Sequence, residues 1–404
     1  MRTHQLSKSV LMVLAGSVVV LVAYFAGLMQ ARTTIKKPDA GWAEQDSVAG
    51  AWQEMIISLE AAGAAVYAST DDPRARHDGF MHLADLFSTA LEMKLSKGDP
   101  ARPAFTDWMR DHRKLLGDLD DAIYMTAEIS AAHDYEITGK RNDAGYLGFV
   151  VYGRGLNGWN KVNASLSSAT MRFEADGRFR LVLSRTAPDD PDTNWLPLTP
   201  DAHMVMVRQY FHDRPASRSA DIAIHNRNPL DYQVPSREEI AGGLHAATTF
   251  FNEAHRGTLA LADMLATAPN SVDPPRNYDP DFVGIFYPTP DNGYFGTQFN
   301  IQPDEALIVE GEVPDAPYWS VSLQDRWMRS LDYTAHQTSL NNHEIKTRNG
   351  RYRVVIAHKN PGTENWLETV GHTTGLLAVR YQLHQGDVAP TIRLVKRADL
   401  DALE

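Results

Sequence analysis

The residues best suited to chemistry crowd into one stretch, YWSVSLQDRWMRSLDYTAHQTSLNNHE, at 318–344. It brings Tyr318, Trp319, Asp325, Arg326, Trp327, Asp332 and His336 within nineteen positions. Aromatic walls with a few convergent polar groups are what a pocket for an organic ligand needs. Asp325 beside Arg326 can orient a substrate or serve as a tuned acid, and His336 near Asp332 can act as a general base, because a neighbouring carboxylate sets imidazole protonation. The sequence therefore offers Asp325, His336 and Asp332 as catalytic candidates, with Tyr318, Trp319, Arg326 and Trp327 as ligand contacts. A structural Asp–Arg pair and turn-capping Asn residues would use the same side chains with no chemistry at all. His336, His343, His358 and His372 also share this half of the chain, but their spacing matches no defined metal site, and no metal or cofactor is assigned.

Two further candidates come from a repeat. DGRFRLVL at 176–183 returns as NGRYRVVI at 349–356, and each is followed by Asn-Trp-Leu, at 194–196 and 365–367. Beyond each triplet runs an apolar strand with an arginine at its centre, HMVMVRQYF (203–211) and GLLAVRYQL (375–383), at an offset near 172 residues. Arg208 and Arg380 thus occupy equivalent positions. Buried, each needs a carboxylate partner or a ligand anion, so both join the ligand-binding candidates.

The elements that must position these side chains follow from periodicity. Asp176-Gly177 and Asn349-Gly350 suit two-residue type I′ turns, and the alternating runs behind them are strands with one buried face. Trp52, Met55, Ile56, Leu59, Ala62 and Val66 mark one helix, Phe80 to Leu95 a second, and Phe105 to Leu116 a shorter third. Strands are expected at Tyr135–Lys140, Tyr146–Tyr152, Leu166–Phe173, Phe179–Ser184 and His203–Phe211. After Pro235 a capping box, Ser236 to Glu239, opens another helix. Strands resume at Val283–Tyr287, Tyr294–Ile301, Ala306–Glu312, Tyr318–Leu323, Glu344–Thr347, Tyr352–His358, Leu376–Leu383 and Thr391–Val395. The fold class is α+β and β-rich: duplicated antiparallel sandwich or jelly-roll-like units, each preceded by packed helices. The expected division is 1–37, 38–230 and 231–404, with the Pro- and Asn-rich segment 214–235 separating the halves.

From Ser9 to Ala31 no residue is charged. A helix of this run spans roughly 34 Å, enough to cross a bilayer core. Met29-Gln30-Ala31 is a poor cleavage site. The expectation is a single-pass anchor with the body on the far side of the membrane, which for a bacterial chain, as the resemblance below implies, is the periplasmic side of the inner membrane.

A net charge of −12 disfavours nucleic-acid binding. The absence of cysteine removes disulfides, thiol nucleophiles, iron–sulfur clusters and thiolate zinc together. Nucleotide-binding glycine loops, H-E-x-x-H, the G-x-S-x-G elbow and EF-hand loops are missing. The stretches YLGFVVYG, DGRFRLVLS, NWLPLTPDAHMVMVRQYFHDR and YWSVSLQDRW resemble the bacterial domain of unknown function numbered 1214. That resemblance implies β-rich sandwich domains and no established activity, so it transfers no catalytic residue. The leading functional expectation is a pocket for a small, partly apolar molecule, with acid–base turnover. The alternatives are a non-catalytic envelope module that binds a polymer or protein, and a metal-dependent enzyme on a cupin-like sandwich.

Overall fold

The computed structural model describes residues 41–155, 158–228, 233–272, 284–386 and 389–400. The apolar run 9–31 lies outside them, and no helix among the described residues is long and apolar enough to cross a membrane.

Three long helices form among the described residues, each with a cap that satisfies free amides at its start. In α1 (Ser47–Ala68) the Asp46 carboxylate accepts from Ala49 N. In α2 (Pro73–Leu91) Asp72 accepts from Arg74 N, and proline occupies the first turn, where no donor is lost. In α3 (Arg237–Ala266) the expected capping box of Ser236 and Glu239 is complete. The buried stripe of α1 is Ala51, Met55, Ala62 and Val66, while Trp52 is 43% exposed, so the buried face is rotated from the one expected. Small residues let α1 lie close against α3. The helices do not each serve one unit. They join a shared core, where Val66, Leu86, Phe250 and Phe251 meet Tyr124, Tyr210 and Trp327.

The first β-unit comprises β1 (Thr106–Asp107), β2 (Ala122–Glu128), β3 (Tyr135–Lys140), β4 (Tyr146–Arg154), β5 (Asn160–Ser167), β6 (Arg178–Ser184), β7 (Asn194–Pro197), β8 (Met204–Tyr210) and β9 (Asp221–Asn226). The second comprises β10 (Asn292–Asn300), β11 (Glu305–Glu312), β12 (Tyr318–Gln324), β13 (Ser339–Asn341), β14 (Thr347–Arg348), β15 (Arg351–Ala357), β16 (Trp366–Glu368), β17 (Thr374–Gln382) and β18 (Thr391–Lys396). One sheet of the first unit has the order β1-β2-β8-β4-β5, and its counterpart is β10-β17-β12-β13. The other sheets are β7-β6-β3-β9 and β14-β15-β11-β18, with β16 beside β15. Eight strands correspond one to one, β2–β9 with β10–β13 and β15–β18, while β1 and β14 have no counterpart in the other unit. Within each unit the two sheets share a core: Ile137, Phe149, Leu181 and Val207 in the first, Val309, Trp319, Val354 and Val379 in the second.

The Asn-Trp-Leu triplets have a defined task. Each forms a short parallel strand, with Trp195 opposite Val182 and Trp366 opposite Val355. Asn194 Nδ2 donates to the carbonyls of Arg172 and Arg180, and Asn365 Nδ2 donates to those of Lys346 and Arg353. Each Asn also accepts a backbone amide, from Arg172 at 2.8 Å and Lys346 at 2.8 Å. An Asn side chain thus satisfies backbone groups that a short strand leaves unpaired.

Several expectations require correction. Asn349 and Gly350 adopt φ of 52° and 72°, the type I′ pair, and close β14 onto β15. The first copy differs: only Gly177 is left-handed (φ 84°), and Gly177 N donates to Glu174 O, so its loop is longer. The segment 105–116 is not a helix. Thr106–Asp107 pairs with β2, and Trp108 N donates to Tyr124 O. Leu116 (φ 49°) and Gly117 (φ 81°) then turn the chain left-handed, which a helix cannot accommodate. The strand expected at Leu166–Phe173 is β5, which ends at Ser167, where Ser167 O accepts from Thr170 and Met171. Gly284–Phe286 is a 3-10 turn rather than a strand. Segment 214–235 contributes β9, which completes the outer sheet of the first unit.

Candidate functional site

A cavity of about 670 Å³ lies between the β1-β2-β8-β4-β5 sheet and the β10-β17-β12-β13 sheet. Leu261 and Leu265 of α3 cover one side, and the loop carrying Trp108, Met109 and Leu116 covers another. Phe286, Met328 and Leu376 extend the apolar wall. The volume is that of a pocket for an organic molecule. The same alternation that aims Leu376, Ala378 and Arg380 into the cavity sends Leu377 and Val379 into the second unit's core.

The polar end is built from the duplicated arginines. Arg208 on β8 and Arg380 on β17 both line the cavity, at 4% and 6% exposure. Arg208 Nη2 donates to Tyr152 Oη at 3.0 Å and to the Tyr287 carbonyl, and Arg380 Nη2 donates to the Gly117 carbonyl. Gly117 is required here: its φ of 81° suits glycine, and a Cβ would stand 3.3 Å from Arg380 Nη2. Arg208 Nη1, Arg380 Nε and Arg380 Nη1 are buried and have no hydrogen-bond partner among the described residues. The same holds for Gln324 Nε2, at the end of β12.

Neither arginine has a carboxylate partner among the described ion pairs, the first of the two ways anticipated to offset their burial. Their neighbours are tyrosines. Burial pushes the Tyr152 phenol up to about 12, with the Arg208 charge opposing the shift. Burial also raises Tyr124 and Tyr210. These hydroxyls stay protonated at neutral pH and supply dipoles rather than negative charge. An arginine does not lose its proton, so among the described residues no carboxylate compensates the positive charge at this end of the cavity.

The candidates singled out in 318–343 do not converge on this site, which takes Gln324 and Met328 from that stretch instead. Successive side chains of β12 point to opposite sides. Tyr318 stacks on Tyr210 and donates to Asp121 Oδ2 at 3.1 Å, whereas Trp319 is buried in the second unit's core against Tyr352. Asp325 caps a turn: its Oδ1 accepts from Trp327 N and Arg329 N, and its Oδ2 from Arg329 Nη1 at 3.3 Å. Burial pushes Asp325 up to about 6, with Arg329 opposing. Arg326 donates to Ser69 O, and Trp327 lies in the helical core. The partner of His336 is Glu368 at 3.0 Å, and Asp332 accepts from Thr334. None of Asp325, Asp332 or His336 lines the cavity. The four histidines also disperse: His343 stacks on His212, His358 contacts Ile301 O and Thr369, and His372 contacts Asp78. Among the described residues, no three His, Asp or Glu side chains gather as a metal site.

Sequence reasoning missed Gln324, Gly117, Asn292 and Tyr294, and with them the loop 108–117. The repeat could have found part of this. Tyr124 and Tyr294 pair with Arg208 and Arg380 at equivalent places in β2 and β10.

Such a site belongs to a duplicated β-rich protein with a cavity between its two units and two arginines at one end of it. Residues 124–213 and 286–383 match the family described as Protein of unknown function (DUF1214), one match in each unit. A solved structure of an uncharacterised protein from Burkholderia cenocepacia superposes with a TM-score of 0.80 at 29% identity, over 86% of this chain and 97% of that one. A protein from Vibrio parahaemolyticus reaches a TM-score of 0.46 at 11% identity, over 85% of this chain and 100% of that one. A comparison with curated proteins gives no match.

Proposed function

We propose that this protein binds a small, partly apolar molecule in the cavity between its two β-units, and that it does so outside a membrane to which residues 9–31 attach it. The observation that carries the binding reading is the cavity itself: about 670 Å³, apolar on most walls and polar at one end. Apolar walls provide affinity by removing ligand surface from water, and the few polar groups fix orientation. Binding is better supported than acid–base turnover, because Asp325 and His336 are held by turn amides and by Glu368, away from the cavity.

Titration calorimetry of the full chain with octanoate is expected to give one binding event per chain. Ala378→Trp places an indole between Leu376 and Arg380 on the cavity wall, and it should abolish that heat while melting within a few degrees of the parent. Unchanged heat in Ala378→Trp would put the ligand elsewhere. The anchor rests on the uncharged run Ser9 to Ala31. Alkaline carbonate washing should leave the chain in the membrane fraction, and its release into the wash would overturn that part of the proposal.

A further inference from the structure

Burial of two arginines at one end of an apolar cavity calls for a source of negative charge, and the described fold provides none. Structural arginines in protein interiors are held by carboxylates, because a buried unpaired charge is strongly unfavourable. Here Arg208 and Arg380 are anchored on one side each, by Tyr152 and the Tyr287 carbonyl and by the Gly117 carbonyl. Their remaining donors, Arg208 Nη1 with Arg380 Nε and Nη1, stay buried and unpartnered at the cavity, and Gln324 Nε2 joins them. Tyr124 and Tyr210 lie in the field of both guanidiniums, so the two charges act on the same end. Duplication explains the arrangement. Each unit brings one arginine from the same place in its sheet, and packing the units face to face brings the pair to one site.

Resting on the binding reading above, we infer that the ligand is an amphipathic oxyanion, a carboxylate or phosphate monoester on an apolar body, with its head held between Arg208 and Arg380. Guanidinium donors suit the oxygens of either head group. The apolar lining, Leu261, Leu265, Phe286 and Leu376, takes the apolar body.

Octanoate, octyl phosphate and 1-octanol separate the possibilities when titrated into the full chain and its Arg208→Gln and Arg380→Gln variants. The expected result is that at least one anion binds about tenfold to a hundredfold more tightly than the alcohol, and that either substitution removes most of that advantage. Which anion prevails tells carboxylate from phosphate. The alcohol's own affinity should hardly change in the variants. Melting of the ligand-free proteins guards against a folding artefact: removing an unpaired buried charge should leave the melt near the parent's or raise it, while the anion's thermal shift disappears. If octanol binds as well as the anions, or the variants keep full anion affinity, the clamp is refuted and the cavity reading stands. If none of the three binds, the cavity reading itself fails.

Discussion

Trp327→Ala is expected to destabilise the protein by about 3–5 kcal/mol, the cost of deleting a large buried ring and leaving a cavity. Trp327 is completely buried. Its indole lies against His82 (5.6 Å between ring centres, planes 25° apart) and His255 (6.2 Å, 19°), and its Nε1 donates to Ala75 O at 2.7 Å. Gly79 of α2 comes so close that an added Cβ would stand 2.7 Å from the indole and 2.5 Å from Val66. This ring pins the second unit's β12 turn to the helical core. Trp327→Phe keeps most of the apolar surface and loses the bond to Ala75, so a deficit of about 1–2 kcal/mol is expected. Chemical denaturation of both variants makes the measurement. A loss below about 1 kcal/mol for Trp327→Ala would mean that the turn is not held there. Binding by the folded fraction should persist, because Trp327 does not line the cavity.

The second large effect is expected at Asp118, which is 2% exposed and accepts from Ser330 N at 2.9 Å and Ser330 Oγ at 2.5 Å. Lys114, itself buried, donates to the carbonyls of Ser330 and Leu331 at 3.1 Å each and is attracted by Asp118. Together they tie the loop that carries Gly117 to the second unit, where Gly117 N donates to Met328 O. Asp118→Ala leaves the Lys114 ammonium without its carboxylate and two Ser330 donors unpaired, a loss of about 3–5 kcal/mol. Asp118→Asn retains an acceptor and should cost roughly half as much. Burial raises the Asp118 carboxyl, with the Ser330 hydrogen bond opposing. A raised folded pKa contributes stability that is complete below the unfolded value near ~3.9 and is lost as pH rises through the folded one. The gap between parent and Asp118→Asn should therefore be wider near pH ~4, about the unfolded value, than at pH 8. Denaturation at the two pH values reads it directly, and a gap that widens with pH would contradict the raised carboxyl.

The fold was legible where local pattern and tertiary demand coincide. The alternating runs at 178–184 and 351–357 and the Ser236–Glu239 box became the elements expected. It was illegible where the chain is irregular for tertiary reasons. The apolar spacing of Trp108, Met109, Leu115 and Leu116 imitates a helix, yet these side chains are buried from a loop whose amides are satisfied by the sheet and by turns. The lining of the cavity follows the repeat and not proximity in sequence. Arg208 and Arg380 stand 172 positions apart in sequence and line one cavity. Tyr318 and Trp319 are adjacent, and for that reason a strand sends them to opposite faces. Nothing local distinguishes Gln324 or Gly117, whose environment is created by the other unit.

The most direct test is native mass spectrometry of the full chain, gently purified from its own host, with the released small molecules identified. The account predicts one organic anion per chain, with an apolar body and a carboxylate or phosphate head, missing from the Arg208→Gln, Arg380→Gln double variant. A neutral molecule retained equally by parent and double variant would contradict the arginine clamp.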